Sequence, residues 1–308
     1  MPARLFMSSG DMNADRRFEY ARDLQLQGDL VAAEDLFVQA TDLAPGFATA
    51  WFTLGEVREQ LGDIAGAIVA FGHARDTDAG DRNGAGLRLM RLGARPLAKM
   101  PPTYVTALFD QYAPKFDTAL VETLGYRGPA ELFKAVLAAC AATERAMQFR
   151  RAIDLGCGTG LAGAAFAGCT AEIIGIDLSP RMIGRARATG HYAELEVAEV
   201  VDGLHRRPDG SADLILAADV LIYLHDVVPV LAEVTRVLRP GGLLAFTAES
   251  HAGAGVILGA GLRYAYGESY VRTSLAASGL ALSRLDHIST RNEGNMPVPG
   301  MVVVAIRC

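Results

Sequence analysis

Apolar and polar positions divide the chain into a helical N-terminal third and a longer C-terminal part in which strands and helices alternate. Short apolar runs predict seven strands, over residues 150–155, 172–176, 194–198, 213–218, 242–247, 281–288 and 300–306. The first five alternate with helical segments, a pattern that favours a parallel, doubly wound sheet with helices on both faces. The last two frame residues 289–299 and predict an antiparallel hairpin at one edge of the sheet. We therefore expect an α/β fold preceded by an all-α region.

The N-terminal helices carry an internal repeat. A shift of 34 residues brings small, acidic and aromatic residues onto equivalent positions: Gly28-Asp29 onto Gly62-Asp63, Ala33 onto Ala67, Phe37 onto Phe71 and Ala40 onto Ala74. This period, together with Trp51 and Leu54-Gly55, resembles the tetratricopeptide repeat (TPR). Only two repeats are evident, whereas such arrays normally need at least about three to be stable. A helix predicted over residues 82–92 is therefore expected to cap the array.

Charge is unevenly distributed in this region. Residues 11–81 hold fourteen acids and five bases, whereas residues 82–99 hold five bases and no acid. Either the repeats form an acidic groove that recruits a basic partner, or the basic helix docks on the acidic repeats. The sequence is compatible with both interpretations.

A glycine-rich segment follows the first predicted strand. In Asp154-Leu155-Gly156-Cys157-Gly158-Thr159-Gly160, an acid ends the strand and glycines follow at alternate positions. Such glycines let backbone N–H groups approach a ligand at the start of a helix. Gly158, Gly160 and Gly163 also fit the G-x-G-x-x-G pattern of dinucleotide sites. However, Asp177 follows Gly163 by only fourteen residues, rather than about 20, and the Asp154 carboxylate would meet the pyrophosphate. A ligand with an ammonium group fits better.

Three segments, in the right order along the chain, resemble the motifs of class I S-adenosylmethionine-dependent methyltransferases. Asp154-x-Gly156-x-Gly158-x-Gly160 resembles motif I. Gly175-Ile176-Asp177-Leu178-Ser179-Pro180-Arg181-Met182 resembles the second motif, and Arg239-Pro240-Gly241-Gly242 resembles the turn before the fifth strand. The resemblance implies a seven-stranded Rossmann-like sheet, S-adenosylmethionine as cofactor and methyl transfer as the reaction. The carboxyl end, around residues 291–300, resembles that of predicted methyltransferases that carry TPRs.

The chemistry of this cofactor suggests a role for each residue. Asp177 is expected to accept the two ribose hydroxyls, because Ser179-Pro180 already provides the N-cap of the next helix. Backbone N–H groups of the glycine loop (Gly156, Gly158 and Gly160) suit one end of the methionine zwitterion, and Asp154 suits its ammonium end.

The adenine needs an apolar slot and an acceptor for its amino group. Glu199, beside Val200, lies where the family places such an acid, and Asp202 is the rival candidate. Leu178 and Met182 are the candidates for the walls of the slot.

The methyl acceptor is expected beyond the fourth strand. Ala218-Asp219 ends that strand, where Asp219 either caps a helix or forms a wall of the site. The chain lacks there the Asn/Asp-Pro-Pro-aromatic sequence of many amino-group methyltransferases that act on nucleic-acid bases or glutamine, which disfavours that class. Tyr223 and His225, with His251 as a third candidate, could act as a general base. A hydroxyl or a protonated amine needs such a base, whereas a carboxylate acceptor does not.

Two further segments concern the substrate. Phe109-Asp110-x-Tyr112-Ala113-x-x-Phe116-Asp117 resembles the segment before motif I in small-molecule methyltransferases, such as the quinone-pathway and malonyl-carrier-protein enzymes, where it forms a lid over the cofactor. Tyr112 and Phe116 would then line the site, or else pack between helices. Arg263 or Arg291 is expected to pair with an anionic acceptor.

Composition sets the remaining bounds. The 308 residues, 51% of them hydrophobic, can bury a full core in two domains. A net charge of −6 disfavours nucleic acid as a partner, and no run approaches the ~20 apolar residues needed to span a membrane. Four cysteines without paired spacing suit a reducing compartment, and no signal peptide is visible. We expect a cytoplasmic protein without a metal site.

These interpretations combine into one domain plan and two functional hypotheses. We expect TPR-like repeats over residues 1–95, a linker and lid helices over 96–128, and a methyltransferase domain over 129–308. The leading hypothesis is O-methylation of a small molecule or a carrier-bound acid, with the repeats recruiting the carrier or another protein. The alternative is a TPR scaffold or assembly factor whose S-adenosylmethionine-binding domain has residual or different activity, such as hydroxylation.

Overall fold

The computed structural model describes residues 6–113, 125–294 and 296–308. The chain forms two compact units, Met1–Gln111 and Tyr112–Cys308. Among the described residues, none of the helices has the length and apolar content that crossing a lipid bilayer requires.

The first unit is helical. Its elements are α1 (Met12–Gln27), α2 (Leu30–Leu43), α3 (Ala48–Leu61), α4 (Ile64–Thr77), α5 (Ala85–Arg91) and α6 (Pro102–Tyr112). Helix α1 packs on α2 and α3 packs on α4, while α2 and α3 join the two pairs. The last residue of α6, Tyr112, opens the second unit.

The 34-residue period is repeated in the helix boundaries. Gly28 ends α1 and Gly62 ends α3, both in the left-handed conformation with φ of 89° and 84°. Asp29 and Asp63 then cap α2 and α4, because each side chain accepts a backbone N–H of the first turn. Equivalent residues therefore stop and start equivalent helices.

Phenylalanines fill the space between these helices. The Phe18 ring lies 5.4 Å from that of Phe37 and 5.1 Å from that of Phe47, between ring centroids, and all three side chains are buried. A side chain at Gly55 would come within 2.7 Å of the Phe71 ring, so this glycine lets α3 and α4 approach closely. Each fully buried phenylalanine contributes about 1.5–3 kcal/mol of stabilisation.

The basic helix α5 docks on the acidic α3. Arg88 Nη2 lies 2.7 Å from Glu56 Oε1, and Arg91 pairs with Glu59. Of the two interpretations of the charge distribution, these contacts match the docked basic helix. The carboxylates of Glu56 and Glu59 are thus engaged within the unit.

The second unit is an α/β domain. Its strands are β1 (Phe149–Leu155), β2 (Thr170–Asp177), β3 (Glu194–Val197), β4 (Ala212–Ala217), β5 (Leu238–His251), β6 (Val256–Leu258), β7 (Tyr264–Gly267), β8 (Leu280–His287), β9 (Asn292–Glu293), β10 (Met296–Pro297) and β11 (Gly300–Arg307). Its helices are α7 (Gly128–Ala142), α8 (Leu161–Phe166), α9 (Pro180–Thr189), α10 (Val200–His205), α11 (Val228–Val237) and α12 (Glu268–Ala277), with 3₁₀ turns at Ala167–Cys169 and Leu221–Tyr223.

The main sheet has the order β3-β2-β1-β4-β5-β11-β8. Strands β1 to β5 pair in parallel, and β11 runs antiparallel to both β5 and β8. The prediction of a parallel sheet with an antiparallel hairpin at one edge is therefore confirmed. Seven predicted strands correspond to the seven strands of this order.

Two features of the sheet were not predicted. Strands β6 and β7 form a small extension in which β7 pairs with the end of β5, Glu249 opposite Ala265. The predicted turn Arg239-Pro240-Gly241-Gly242 lies inside β5 as a bulge: Leu238 pairs with Ala212, and Leu243 already pairs with Leu214. Runs of three or four residues between glycines carry too little periodicity to be recognised in the sequence.

The parallel strands bring several loops to one edge of the sheet. Leu155 at the end of β1 pairs with Ile176 of β2 and with Ala217 at the end of β4. The chain order of the strands reverses at β1, which lies between β2 and β4. Ligands of open α/β sheets bind at such a switch point, outside the carboxyl ends of the strands.

Candidate active site

The glycine loop after β1 is shaped by close packing. Gly156, Gly158 and Gly160 all have positive φ, of 57°, 54° and 99°. A Cβ at Gly156 would collide with Cγ2 of Val220, which follows β4. The loop is tied to the neighbouring strand, since the Gly158 N–H donates to Asp177 Oδ2 at 2.9 Å.

Asp177, at the end of β2, connects this loop with the start of α9. Its Oδ1 accepts the Ser179 N–H at 2.8 Å, and its side chain is 8% exposed. Ser179 itself caps α9 by accepting the Met182 N–H at 3.1 Å, as the sequence predicted. Asp177 is not the cap, but each carboxylate oxygen can accept more than one hydrogen bond.

Asp154, near the end of β1, is 1% exposed and has a partner that sequence reasoning missed. Tyr192 Oη donates to Asp154 Oδ2 at 2.7 Å. Burial raises the pKa of Asp154 to about 7; the Tyr192 hydrogen bond lowers this pKa and the charge of Asp177 raises it. A single tyrosine before β3 carries no pattern in the sequence that would have indicated this contact.

The predicted adenine residues lie at the ends of β2 and β3. Glu199 caps α10 by accepting the Val201 N–H at 2.9 Å, and Val200 is buried. Met182 is fully enclosed by protein and offers no accessible surface, whereas Leu178 is partly accessible. Asp202, the rival of Glu199, is exposed on the first turn of α10.

Asp219 follows Ala218 at the end of β4 and has a strained backbone, with φ of 55°. The 3₁₀ turn Leu221–Tyr223 has no side-chain cap, so Asp219 is not the helix cap. Instead, Thr247 Oγ1 donates to its Oδ1 at 2.6 Å, and Arg291 pairs with its Oδ2. The side chain is therefore fixed from two directions.

Arg291 belongs to a larger group of charges, which we call the arginine network. Arg291 is 5% exposed and pairs with both Asp219 and Glu249. Arg263 Nε lies 2.6 Å from the same Glu249, and Arg263 Nη2 pairs with Glu293. The network contains two arginines and three carboxylates, so both predicted anion-binding residues have partners within the chain.

Three tyrosines interact electrostatically with members of this network. Burial raises the pKa of Tyr112 above its usual value, and the charge of Arg263 offsets part of this rise. Tyr126, which sequence reasoning missed, has a pKa well above its usual range because of burial and the nearby charge of Asp219, which Arg291 partly offsets. Tyr223 acts electrostatically on both Tyr126 and Arg291.

The two histidine candidates for the base have partners of their own. The His225 ring packs edge-on against Tyr264 at 5.7 Å between ring centroids. His251 is bonded within its own turn, where Gly253 N–H donates to Nδ1 at 3.1 Å. Phe116 and the rest of the predicted lid from residue 114 to residue 117 lie outside the described residues.

A sheet of this order, with a glycine loop after its first strand, defines the fold of the class I S-adenosylmethionine-dependent methyltransferases. Residues 153–246 match the family described as "Methyltransferase domain". The Burkholderia thailandensis 1,6-didemethyltoxoflavin-N1-methyltransferase, solved with S-adenosylhomocysteine, is a similar structure. It superposes with a TM-score of 0.52 and 19% identity over 69% of this chain and 92% of that chain.

Curated relatives match over the same region. A ubiquinone biosynthesis O-methyltransferase of Methylococcus capsulatus is 33% identical over 32% of this chain and 43% of its own length. A trans-aconitate 2-methyltransferase of Methylobacterium radiotolerans is 42% identical over 31% of this chain and 36% of its own length. The chain thus spans less than half of either relative. The family match thus covers the segment from the glycine loop to the fifth strand of the sheet.

Proposed function

We propose that this protein transfers the methyl group of S-adenosylmethionine to an oxygen of a small molecule or of a carrier-bound acid. The observation that carries the proposal is the glycine loop between two buried carboxylates, Asp154 and Asp177, at the switch point of a methyltransferase sheet. The names of the two relatives, one an O-methyltransferase and one acting on trans-aconitate, support oxygen as the methylated atom.

The carboxylates and backbone N–H groups at the carboxyl ends of the parallel strands match the polar groups of S-adenosylmethionine. In the proposed assignment, Asp177 is held in place by the Gly158 and Ser179 N–H groups and accepts the ribose hydroxyls. The ammonium group lies towards Asp154, and the carboxylate of the cofactor meets the N–H groups of the loop. Leu178 and the Glu199-Val200 pair border the adenine.

The cofactor supplies a methyl group already activated by a positive sulfur, so the chain's main task is alignment. Holding two reactants in the productive geometry can supply effective molarities of roughly 10⁵–10⁸ M. We assign this task to the side chains of Asp219 and Tyr223, with Tyr112 and Phe116 on the lid. Thr247 and Arg291 hold Asp219 in one rotamer, which gives the acceptor side a fixed wall.

The arginine network supports an acidic acceptor. Glu293 is 43% exposed, whereas Glu249 is 13% exposed. A carboxylate of the acceptor could therefore replace Glu293 on Arg263 without changing the net charge of the network. An acid methylated on its own carboxylate needs no general base. For a hydroxyl acceptor, we assign the base to Tyr223, which interacts electrostatically with Arg291; His225 is the second choice.

We further propose that residues 1–95 are tetratricopeptide repeats that recruit the carrier or another protein, followed by a linker and lid over residues 96–128 and the methyltransferase domain over 129–308. The repeated caps at Gly28-Asp29 and Gly62-Asp63 support this assignment. Tyr20 and Val31, 60% and 70% exposed, offer apolar surface on the first pair. If they contact a carrier, Tyr20→Asp with Val31→Asp should raise KM for the carrier-bound acid and leave KM for the free acid unchanged.

The direct test of the function is a transfer experiment. The full chain is incubated with an extract of small metabolites and S-adenosylmethionine labelled on its methyl group, and species that gain label are identified by mass. We expect a labelled ester or ether of an acid. Asp177→Asn should abolish labelling, while Asp209→Asn, an exposed carboxylate 80% accessible, should not. Label on nitrogen would contradict O-methylation, and the absence of any labelled product would favour the scaffold hypothesis.

A further inference from the structure

Tyr192 lies directly below the glycine loop, in the turn between α9 and β3. Three glycines border its side chain. A Cβ added at Gly160 would lie 3.1 Å from Tyr192 Cε2, one at Gly163 would lie 2.5 Å from Cζ, and one at Gly175 would lie 2.9 Å from Cδ1. The ring therefore occupies space that these three residues leave open only because they are glycines.

This packing gives the G-x-G-x-x-G pattern a different meaning in this chain. In a dinucleotide site the third glycine allows close packing of the helix on its strand. Here Gly163 lies on the first turn of α8, where a methyl group would collide with the phenol of Tyr192. The glycine spacing that is typical of a dinucleotide site here leaves room for the side chain of Tyr192 beside the loop.

The hydroxyl of Tyr192 bonds to a buried carboxylate and also interacts with the Gly163 backbone. It donates to Asp154 Oδ2 at 2.7 Å, and Asp154 is buried at the end of β1. Burial and the charge of Asp154 raise the pKa of Tyr192 far above its usual range, so the phenol keeps its proton and remains a donor. The Gly163 N–H also favours the ionised form of Asp154, whereas Asp177 disfavours it. Cys157 and Tyr126 are the other titratable groups that Asp154 acts on electrostatically.

We propose that Tyr192 is a positioning residue of the cofactor site, which holds Asp154 as an oriented carboxylate for the ammonium group of S-adenosylmethionine. The proposal rests on the proposed function, since it requires that Asp154 meets that end of the cofactor. Tyr192 acts on the cofactor through Asp154.

Two ligands separate this role from a merely structural one. S-adenosylhomocysteine carries the amino-acid end, whereas 5′-methylthioadenosine has the same adenosine and sulfur without it. Both are titrated into the full chain by calorimetry. Tyr192→Phe keeps the ring and removes the hydroxyl, so we expect roughly tenfold weaker binding of S-adenosylhomocysteine. Binding of 5′-methylthioadenosine should change by less than about twofold. The control Tyr270→Phe removes a half-buried hydroxyl of the same unit and should change neither.

The pH dependence gives a second readout. Loss of the phenol donor raises the pKa of Asp154 further, so its carboxylate is ionised over a narrower range. The loss of S-adenosylhomocysteine affinity in Tyr192→Phe should therefore be larger at pH 6.5 than at pH 8.5. In an Asp154→Asn background, Tyr192→Phe should cause no further loss.

Gly163→Ala provides an independent variant, because its methyl group displaces the phenol without changing Tyr192. It should cause the same selective loss. Equal losses for the two ligands, or an unchanged affinity for both, would overturn the proposal while leaving the proposed function intact. Failure of the unmodified protein to bind S-adenosylhomocysteine would overturn both.

Discussion

Asp154 and Asp177 end adjacent strands, yet their surroundings differ. Asp177 accepts two backbone N–H groups, which hold it between the glycine loop and α9. Asp154 is almost fully buried, with Tyr192 as its side-chain partner, and its pKa is raised to about 7. Hydrogen bonds to backbone amides favour a carboxylate, whereas burial disfavours it. The two acids therefore suit different ends of a ligand.

The raised pKa of Asp154 leads to a prediction about stability. The pKa of Asp154 is about 4 in the unfolded chain and about 7 in the folded protein. Because the folded state binds this proton more tightly, the free energy of unfolding falls as pH rises between these two values. Stability from this residue is fully present below about pH 4 and lost above pH 7. Asp154→Asn removes this titrating group. Between pH 4.5 and pH 8, the free energy of unfolding of the variant should therefore rise, relative to that of the unmodified protein, by on the order of 1–4 kcal/mol.

Thermal unfolding at both pH values, without ligand, measures this difference. Asp209→Asn, at an exposed position, is the matched control and should show no pH-dependent gain. An equal effect of Asp154→Asn at pH 4.5 and pH 8 would contradict the raised pKa.

A second residue-scale prediction concerns the arginine network. Arg263 pairs with the partly buried Glu249 and with exposed Glu293. If an anionic acceptor replaces Glu293, Arg263→Ala should raise the acceptor's KM by about tenfold or more, as expected for the loss of a charged hydrogen bond. Glu293→Gln removes the internal competitor and should lower KM several-fold, with kcat nearly unchanged in both variants.

Steady-state kinetics with the acceptor found by labelling tests this pair of variants. Arg272→Ala removes an arginine that is 52% exposed and pairs with Glu268, and should change neither constant. A rise in KM for Glu293→Gln would show that Glu293 helps to bind the acceptor. That result would contradict the proposal that the acceptor replaces Glu293 on Arg263.

At the scale of elements, the sequence was informative wherever a pattern is local. The apolar runs gave the seven strands of the main order, and the 34-residue shift gave the two helix pairs. Strands β6 and β7 were not predicted, because three and four residues are too few to show the alternation of apolar and polar positions that identifies a strand. The bulge in β5 was not predicted, because Pro240 and Gly241 are typical of a turn. Only the pairing with β4 shows that the same strand continues at Leu243.

The repeated caps make a prediction at this scale. Asp29 and Asp63 occupy the same position in the two helix pairs and each accepts one backbone N–H. Replacement of either by alanine should therefore lower the free energy of unfolding by about 1 kcal/mol, and by similar amounts. Asp76→Ala, at an exposed position near the end of α4, should stay within about 0.5 kcal/mol.

Denaturant titration of the three variants measures these changes. A cost at Asp63 together with none at Asp29 would show that the first pair is not held in the same way as the second.

For the whole molecule, the cofactor class could be predicted, whereas the contacts that assemble the site could not. Motifs of seven and eight residues were enough to indicate the glycine loop and Asp177. Tyr192 reaches Asp154 across 38 positions, and Arg291 reaches Asp219 across 72. Such contacts depend on the strand order, which places distant segments side by side at one sheet edge. Arg263 and Arg291 were identified as chemically relevant, but their partners Glu249 and Glu293 were visible only in the fold.

The ligand that binds at the glycine loop decides between a methyltransferase and a dinucleotide-binding protein. Calorimetric titration of the full chain with S-adenosylhomocysteine, and separately with oxidised nicotinamide adenine dinucleotide, tests this choice most directly. We predict one bound S-adenosylhomocysteine per chain, no heat from the dinucleotide, and at least roughly tenfold weaker binding in Asp177→Asn. Binding of the dinucleotide in the absence of any S-adenosylhomocysteine binding would contradict the account.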